Sequence, residues 1–144
     1  MRTVPVLVAT WSPELTAELT ALVIAAFLQF LHIGVSGYYM HATPEGRAWN
    51  ASPRDTPRDP GVKGGRALRA AENHVTALLL FAIAILTLAV TDQFSGWTAT
   101  LAWIYVLARL LYIPAYLQGW SPARSGIWLV GSAATALLLL AALF

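Results

Sequence analysis

Two apolar stretches of the chain carry basic, amide and hydroxyl side chains at helical spacing. In the first stretch these side chains recur at intervals of 3, 4 and 3 residues: Arg66, Arg69, Asn73 and Thr76. In the second they recur at intervals of 4, 3 and 4 residues: Tyr105, Arg109, Tyr112 and Tyr116. Because residues three or four apart lie on the same face of an α-helix, each stretch is predicted to present one polar stripe.

A third polar group, Arg124-Ser125, stands directly before the last apolar stretch. If a helix begins here, its first turn offers unpaired backbone N–H groups and the positive end of the helix dipole. An arginine and a hydroxyl added to that turn predict a site for an anion or a thiolate. The alternative is that Arg124 only sets the membrane topology and Ser125 only caps the helix.

The chemistry that these three groups support is electrostatic. Arginine, hydroxyl and backbone donors stabilise a thiolate, and a stabilised thiolate is a nucleophile at neutral pH. The chain contains no cysteine, so the thiol must come from a substrate. The prediction is a pocket for a small anionic ligand where the three groups meet.

The composition shows what kind of protein must position these residues. Hydrophobic residues make up 58% of the chain and charged residues 11%, against roughly 45–50% and about 25% in a typical globular protein. Nine basic and seven acidic side chains cannot cover a soluble surface, and disordered chains are poorer in apolar residues. The net charge of +2 does not suit a nucleic-acid-binding surface. The chain is predicted to be a small integral membrane protein.

Four apolar runs are long enough to cross a bilayer as helices, which takes about 20 residues each. They are Leu19–Tyr39, Ala67–Val90, Trp97–Leu117 and Gly126–Phe144. The runs lack the alternation of barrel strands. The prediction is therefore an all-α, four-helix membrane bundle that forms a single domain over residues 1–144.

The distribution of Lys and Arg predicts the orientation of the bundle. Loop 40–66 holds most of the basic residues, whereas the opposite side holds only Arg2. By the positive-inside rule this loop lies in the cytoplasm and both termini lie outside. The small size and the Ala/Leu/Arg-rich composition favour a bacterial inner membrane. The loop is rich in Pro and Gly and is predicted to be irregular, either a solvated connector or a cover over the mouth of the site.

Arg109 is the most deeply placed arginine, about 12 Å from the cytoplasmic end of its span at 1.5 Å per residue. It needs an acceptor inside the bundle, and Glu72 is the nearest acidic residue by depth. The sequence supports two alternatives for Arg109 equally: it forms a structural ion pair, or it belongs to a ligand pocket. The other stripe residues have simpler alternatives, as snorkelling anchors or interfacial aromatics: Arg66, Arg69, Tyr112 and Tyr116.

His32 shares one stripe of the first span with Gln29 and Ser36. A lone histidine on such a face is more often hydrogen-bonded in the packing than bound to a metal. His32 is therefore predicted to be structural. Because the chain has no second histidine at ligand spacing, no metal site is predicted.

Three of these segments carry motifs of a known family. The second span contains Arg69-Ala70-Ala71-Glu72-Asn73, which is similar to the signature Arg-x-x-x-Asn-x-x-Glu, with Thr76 in place of the final Glu. The third contains Arg109-Leu110-Leu111-Tyr112-Ile113-Pro114-Ala115-Tyr116, which is similar to Arg-x-x-His/Tyr-x-x-x-Tyr. With Arg124-Ser125, these motifs resemble the MAPEG family, the membrane-associated proteins in eicosanoid and glutathione metabolism.

The resemblance implies a homotrimer of four-helix protomers that binds glutathione as co-substrate between subunits on the cytoplasmic side. It implies that Arg124 stabilises the glutathione thiolate, with Ser125 beside it. It also implies a set of residues that bind glutathione: Arg47, Arg69, Glu72, Asn73, Tyr112 and Tyr116. In that set Glu72 stands in for the acid missing at Thr76, from a position about 40° round the helix.

The leading hypothesis is a glutathione-dependent membrane transferase or peroxidase that acts on lipophilic electrophiles dissolved in the bilayer. The alternative is a non-catalytic trimeric membrane scaffold or accessory subunit of the same fold. A small multidrug-type transporter is a third reading. Such a transporter usually has a membrane-embedded acid for proton coupling, and by sequence only Glu72 qualifies.

Overall fold

The computed structural model describes residues 15–144, and all regular secondary structure in that range is helical. The helices are α1 (Ala17–His41), α2 (Pro44–Asn50), α3 (Gly61–Val90), α4 (Gly96–Gln118) and α5 (Ala123–Ala141). All except α2 are long and apolar enough to cross a membrane. The predicted all-α bundle with four membrane spans is confirmed.

The first loop differs from its prediction, because part of it is the short helix α2. Thr43 caps this helix by accepting a hydrogen bond from the Gly46 backbone N–H at 3.1 Å, and Pro44 occupies the first turn. Both features favour a helix start. α3 also begins at Gly61 rather than at Ala67, since a helix can extend past the membrane boundary into water.

Small side chains let the long helices approach closely. Ala21, Ala25, Ala84 and Ala102 are fully buried where α1, α3 and α4 meet. Such residues are typical of helix contacts in membranes, where packing rather than water exclusion holds helices together. Phe81 and Tyr105 stack in the same core with ring centroids 3.9 Å apart.

One end of the bundle is held by a buried carboxyl group. Glu18 is 3% exposed and accepts a hydrogen bond from the Thr98 hydroxyl at 2.6 Å. Thr98 also forms a capping box with Ser95 at the start of α4. The sequence interpretation that Glu72 is the only embedded acid is therefore wrong, because Glu18 lies inside the bundle, whereas Glu72 is exposed.

The opposite end, here named the polar end, consists of the C-termini of α1 and α4 and the N-termini of α3 and α5. The segment between α4 and α5 spans only residues 119–122, so these two helix ends must be neighbours. The chain after α2 returns to α1, where the Arg58 guanidinium donates to the Met40 carbonyl at 2.9 Å. Arg66 joins α3 to α4 by donating to the Leu117 carbonyl at 3.1 Å.

Candidate functional site

A pocket of about 250 Å³ lies between α3, α4 and α5, near the polar end. Its lining comes from one residue of α3, two of α4 and three of α5: Asn73, Tyr112, Tyr116, Arg124, Ser125 and Trp128. All but Trp128 were predicted from the sequence as site residues. The structure therefore brings together the predicted catalytic pair and three of the predicted ligand-binding residues.

The cation of the pocket has an aromatic support. The Arg124 Cζ atom lies 4.7 Å from the centroid of the Tyr116 ring. Tyr112 packs against the edge of Tyr116, with centroids 5.2 Å apart and ring planes at 64°. A guanidinium over a ring face is attracted by about 0.5–2 kcal/mol, more as water is excluded. The two tyrosines therefore restrict where the positive charge lies.

The start of α5 differs from the predicted anion-binding turn. The N-cap residue is Pro122, which makes no side-chain cap hydrogen bond, so Ser125 is not the cap. The backbone N–H of Arg124 donates to the Trp120 carbonyl at 2.8 Å, and that of Ser125 donates to Pro122 at 2.9 Å. Because the preceding turn uses these two N–H groups, the donors that Arg124 and Ser125 can offer a ligand are their side chains, the guanidinium and the hydroxyl.

Two polar side chains of α3, Asn73 and Thr76, form hydrogen bonds within their own helix. The Asn73 amide donates to the Arg69 carbonyl at 2.8 Å, and the Thr76 hydroxyl donates to the Glu72 carbonyl at 3.3 Å. The first of these bonds uses the amide nitrogen of Asn73, so the side-chain oxygen remains available as an acceptor in a residue that lines the pocket. Thr76 contributes no acid and does not line the pocket.

Three predicted ligand-binding residues do not line the pocket: Arg47, Arg69 and Glu72. All three are exposed. Arg47 lies in α2 and donates to the His41 carbonyl at 3.3 Å. Arg69 lies one turn closer to the polar end than Asn73. Their predicted roles thus require a surface beyond this pocket.

Arg109 does not pair with Glu72, so of its two sequence-based alternatives the ion pair is not seen. The Arg109 side chain is 1% exposed, and its Nε and Nη1 atoms have no hydrogen-bond partner within residues 15–144. Its Cζ atom lies 5.1 Å from the Tyr105 ring centroid and 5.9 Å from that of Tyr112. On α5, Gly131 allows close approach, because a Cβ there would lie 3.4 Å from the guanidinium. Aromatic faces, not a carboxylate, surround the charge.

His32 is buried as predicted, but it is not a lone histidine. Its ring meets His74 of α3 edge to face, with centroids 4.5 Å apart. The Nε2 atom of His32 has no hydrogen-bond partner in the part of the chain that the structure describes, so the predicted hydrogen-bonded packing is not seen at that atom. The sequence analysis missed this contact, because the two residues lie on different helices.

Trp128 is the pocket residue that sequence reasoning missed. It follows Arg124 by four positions, so the two side chains share one face of α5. Helical spacing alone could have identified it. Its partly exposed ring forms an apolar wall opposite the tyrosines.

The pocket can act on an anion by electrostatics. Arg124 is the one charged residue among the described residues that line it, and no carboxylate opposes that charge there. Amide, phenol and hydroxyl groups supply neutral hydrogen-bonding partners. Within residues 15–144 there is no group of three or more His, Asp or Glu side chains placed to hold a metal ion.

Comparison with known proteins supports the motif assignment. The model of the MAPEG family matches residues 17–144, which include the four long helices and every residue that lines the pocket. No curated protein and no solved structure matches the chain. The match covers far more than half of the sequence and the helices suit a membrane, so the chain is an integral, multi-pass membrane protein that belongs to the MAPEG family, a family of glutathione and eicosanoid metabolism.

Proposed function

We propose that this protein is a glutathione-dependent membrane transferase or peroxidase that acts on lipophilic electrophiles. The observation that carries this proposal is the pocket in which Arg124, held over Tyr116, is the sole charged residue among the described residues of the lining. Asn73 and Ser125 supply hydrogen-bonding groups in the same pocket. That combination suits a peptide-like ligand with an anionic sulfur.

In this mechanism Arg124 stabilises the thiolate of bound glutathione relative to the thiol, because a nearby cation favours the charged form. The Ser125 hydroxyl donates a further hydrogen bond, and the thiol proton leaves to water at the polar end. In the transferase reaction the sulfur forms a bond to the electrophilic carbon, and the leaving group departs with the bonding electron pair. Tyr112, Tyr116 and Trp128 orient the ligand.

The lipophilic partner has a place beside this pocket. An apolar groove of about 240 Å³ runs between α4 and α5, lined by Ile104, Leu107, Ala108, Leu111, Ile127 and Val130. Leu111 and Ile127 directly adjoin the pocket residues Tyr112 and Trp128 in sequence. A substrate that dissolves in the bilayer can therefore approach the sulfur from the membrane side.

The proposal includes assembly as a homotrimer with sites between subunits. The pocket of one protomer, at about 250 Å³, is smaller than the roughly 300–1,000 Å³ of ordinary ligand sites. Arg47, Arg69 and Glu72 do not line it and are exposed. A neighbouring subunit would enlarge the pocket and give those residues a ligand to contact.

The proposal also includes the orientation. The polar end carries most of the basic residues of the described chain, including those of the first loop. By the positive-inside rule it faces the cytoplasm, where glutathione is available, and both termini face the other side. Arg2, which entered the sequence argument, lies outside the described residues. A bacterial inner membrane is the membrane proposed.

Two experiments test this function. Titration calorimetry of the purified protein with glutathione should show saturable binding, and Arg124→Ala should retain most of it, since Arg69 and Asn73 hold the peptide part. Crosslinking in mild detergent should stop at three chains. Absence of binding would refute the glutathione proposal, and a clean monomer or dimer would refute the intersubunit site.

One observation favours the alternative, a non-catalytic trimeric scaffold or accessory subunit. The family signature ends in an acid where this chain has Thr76, whose hydroxyl is bonded to its own helix. Without that acid the amino group of glutathione loses a charged partner. The calorimetric titration distinguishes the two functions, because a scaffold that has lost the ligand gives no heat of binding.

A further inference from the structure

A second, larger cavity lies on another side of the bundle at the polar end. Its volume is about 550 Å³, within the range of ordinary ligand sites. The last turns of α1 and α4 and the first turns of α3 line it: Tyr39, Lys63, Arg66, Ile113, Pro114, Leu117 and Gln118. None of these residues lines the pocket of Arg124. The two cavities are therefore separate sites.

The lining of this cavity, here named the basic groove, is divided by polarity. Ile113, Pro114 and Leu117 form an apolar wall on α4, whereas Lys63 and Arg66 place two positive charges on α3. Lys63 and Arg66 are three residues apart and so share one helix face. Among the described residues that line the groove there is no carboxylate. An occupant must therefore combine negative charge with apolar surface.

Arg66 is held in place before any ligand arrives. Its Nη1 atom donates to the Leu117 carbonyl at 3.1 Å. Its guanidinium also lies against Gly119, where an added Cβ would come within 2.8 Å of the Arg66 Cζ atom. Gly119 has a φ of 71°, so glycine serves both the left-handed end of α4 and this close approach. Lys63, one turn earlier, is exposed and free to reach an anion.

The position of the groove indicates the kind of occupant. It lies where membrane-spanning helices end, which is the depth of the lipid headgroups. Its apolar wall belongs to the membrane-spanning part of α4, and its cations belong to the part of α3 that extends beyond the predicted span. A phospholipid with a negatively charged headgroup has the same arrangement of charge and apolar chain.

We propose that the basic groove binds an anionic phospholipid, with Lys63 and Arg66 at its phosphate and an acyl chain along Ile113, Pro114 and Leu117. The Gln118 amide and the Tyr39 hydroxyl add neutral donors at the rim. Zwitterionic lipids bind less well, because their ammonium group meets two like charges. This inference does not depend on the glutathione reaction.

Native mass spectrometry in neutral detergent tests the proposal. The protein is mixed with phosphatidylglycerol or with phosphatidylcholine of the same acyl chains, at an ionic strength near 0.15 M. We expect phosphatidylglycerol to bind saturably and more tightly than phosphatidylcholine. A lysine near a headgroup contributes about 1 kcal/mol, so Lys63→Gln should weaken phosphatidylglycerol binding about fivefold. Soluble glycerol phosphate should not displace the lipid, because it lacks the acyl chain.

Arg54→Gln is the matched control. It removes the same charge from the first loop, where Arg54 contacts Asn50 and Trp49 and does not line the groove. We expect it to change phosphatidylglycerol binding less than about twofold, since Arg54 does not line the groove and salt at this ionic strength weakens the attraction between exposed charges that are not in contact. Glutathione binding should be the same in both variants and in the unmodified protein, which separates this test from that of the proposed function.

Three results would overturn the proposal. Equal binding of the two lipids would show no headgroup selection. Equal losses in Lys63→Gln and Arg54→Gln would indicate diffuse charge attraction rather than a site. Displacement by glycerol phosphate would assign the groove to a free phosphate compound.

Discussion

The Arg124 guanidinium lies over the face of the Tyr116 ring, with Cζ 4.7 Å from the centroid. This contact joins the first turn of α5 to the last turns of α4, across a connection of only four residues. A flexible arginine at a helix start would ordinarily sample many rotamers, and fixing it costs up to about 2 kcal/mol. The aromatic support offsets part of that cost in advance, so the charge is already placed when a ligand enters.

Trp128 should report ligand binding through its fluorescence. It lines the pocket, so glutathione should change its emission, and Trp128→Phe should abolish that change. Trp103→Phe is the matched control, because Trp103 lies on α4 and does not line the pocket. If the ligand-dependent change persists in Trp128→Phe and disappears in Trp103→Phe, the site is misplaced.

Thr76→Glu should raise the affinity for glutathione. The position lies one turn beyond Asn73 and is exposed, so a carboxylate fits there without displacing packed side chains. The new carboxylate should form a charge-assisted hydrogen bond with the amino group of glutathione, so we expect the affinity to rise about tenfold. The glutamine of Thr76→Gln has the size of glutamate without its charge, so this variant should raise the affinity for glutathione much less. Equal affinities of both variants and the unmodified protein in calorimetry would contradict this prediction.

Arg109→Ala should lower the stability of the bundle by about 2–4 kcal/mol, through the lost ring contacts and the cavity that remains. Arg109→Met retains most of the side-chain volume and removes the charge. The stability of this variant should therefore lie between that of Arg109→Ala and that of the unmodified protein. Thermal unfolding in detergent measures the order of the three proteins. An Arg109→Ala variant that unfolds at the unmodified temperature but has no activity would show that the residue is functional rather than structural.

Much of the pocket was predictable because its geometry is local. Tyr112 and Tyr116 share a helix face by spacing, and a short connection between packed helices places Arg124 and Ser125 beside them. Asn73 was predicted as a site residue because it lies at a similar depth in the neighbouring span. Helical periodicity, span boundaries and the family motifs together singled out these five residues, although the same periodicity also selected Arg69 and Arg109, which do not line the pocket.

The remaining features depend on how the helices rotate against each other, which spacing alone does not determine. Arg69 and Asn73 share a stripe, yet only Asn73 reaches the pocket, because Arg69 lies one turn closer to water. Depth made Glu72 the candidate partner for an Arg109 ion pair, whereas the helix faces place Arg109 beside the rings of Tyr105 and Tyr112. The backbone hydrogen bonds that use the N–H groups of Arg124 and Ser125 are local, but they depend on the conformation of the turn before α5, which helical spacing does not determine.

Ser125→Ala should slow glutathione transfer to a lipophilic aryl halide less than Arg124→Ala does. A neutral hydroxyl donates a weaker hydrogen bond to a thiolate than a cation does. Loss of a single electrostatic donor in an active site lowers the rate by a factor of roughly 10²–10³. We expect a reduction of that size for Arg124→Ala. Steady-state rates at saturating glutathione measure both. A larger loss in Ser125→Ala would reverse the assigned roles.

The ultraviolet absorbance of the glutathione thiolate tests the role of Arg124 most directly. Glutathione added to the purified protein near neutral pH should give a saturable thiolate signal, because Arg124 lowers the pKa of the bound thiol. Arg124→Ala should lose most of this signal while calorimetry still shows binding, and Arg124→Lys, which keeps a positive charge, should retain part of it. Binding without a thiolate signal, or an undiminished signal in Arg124→Ala, would contradict the account.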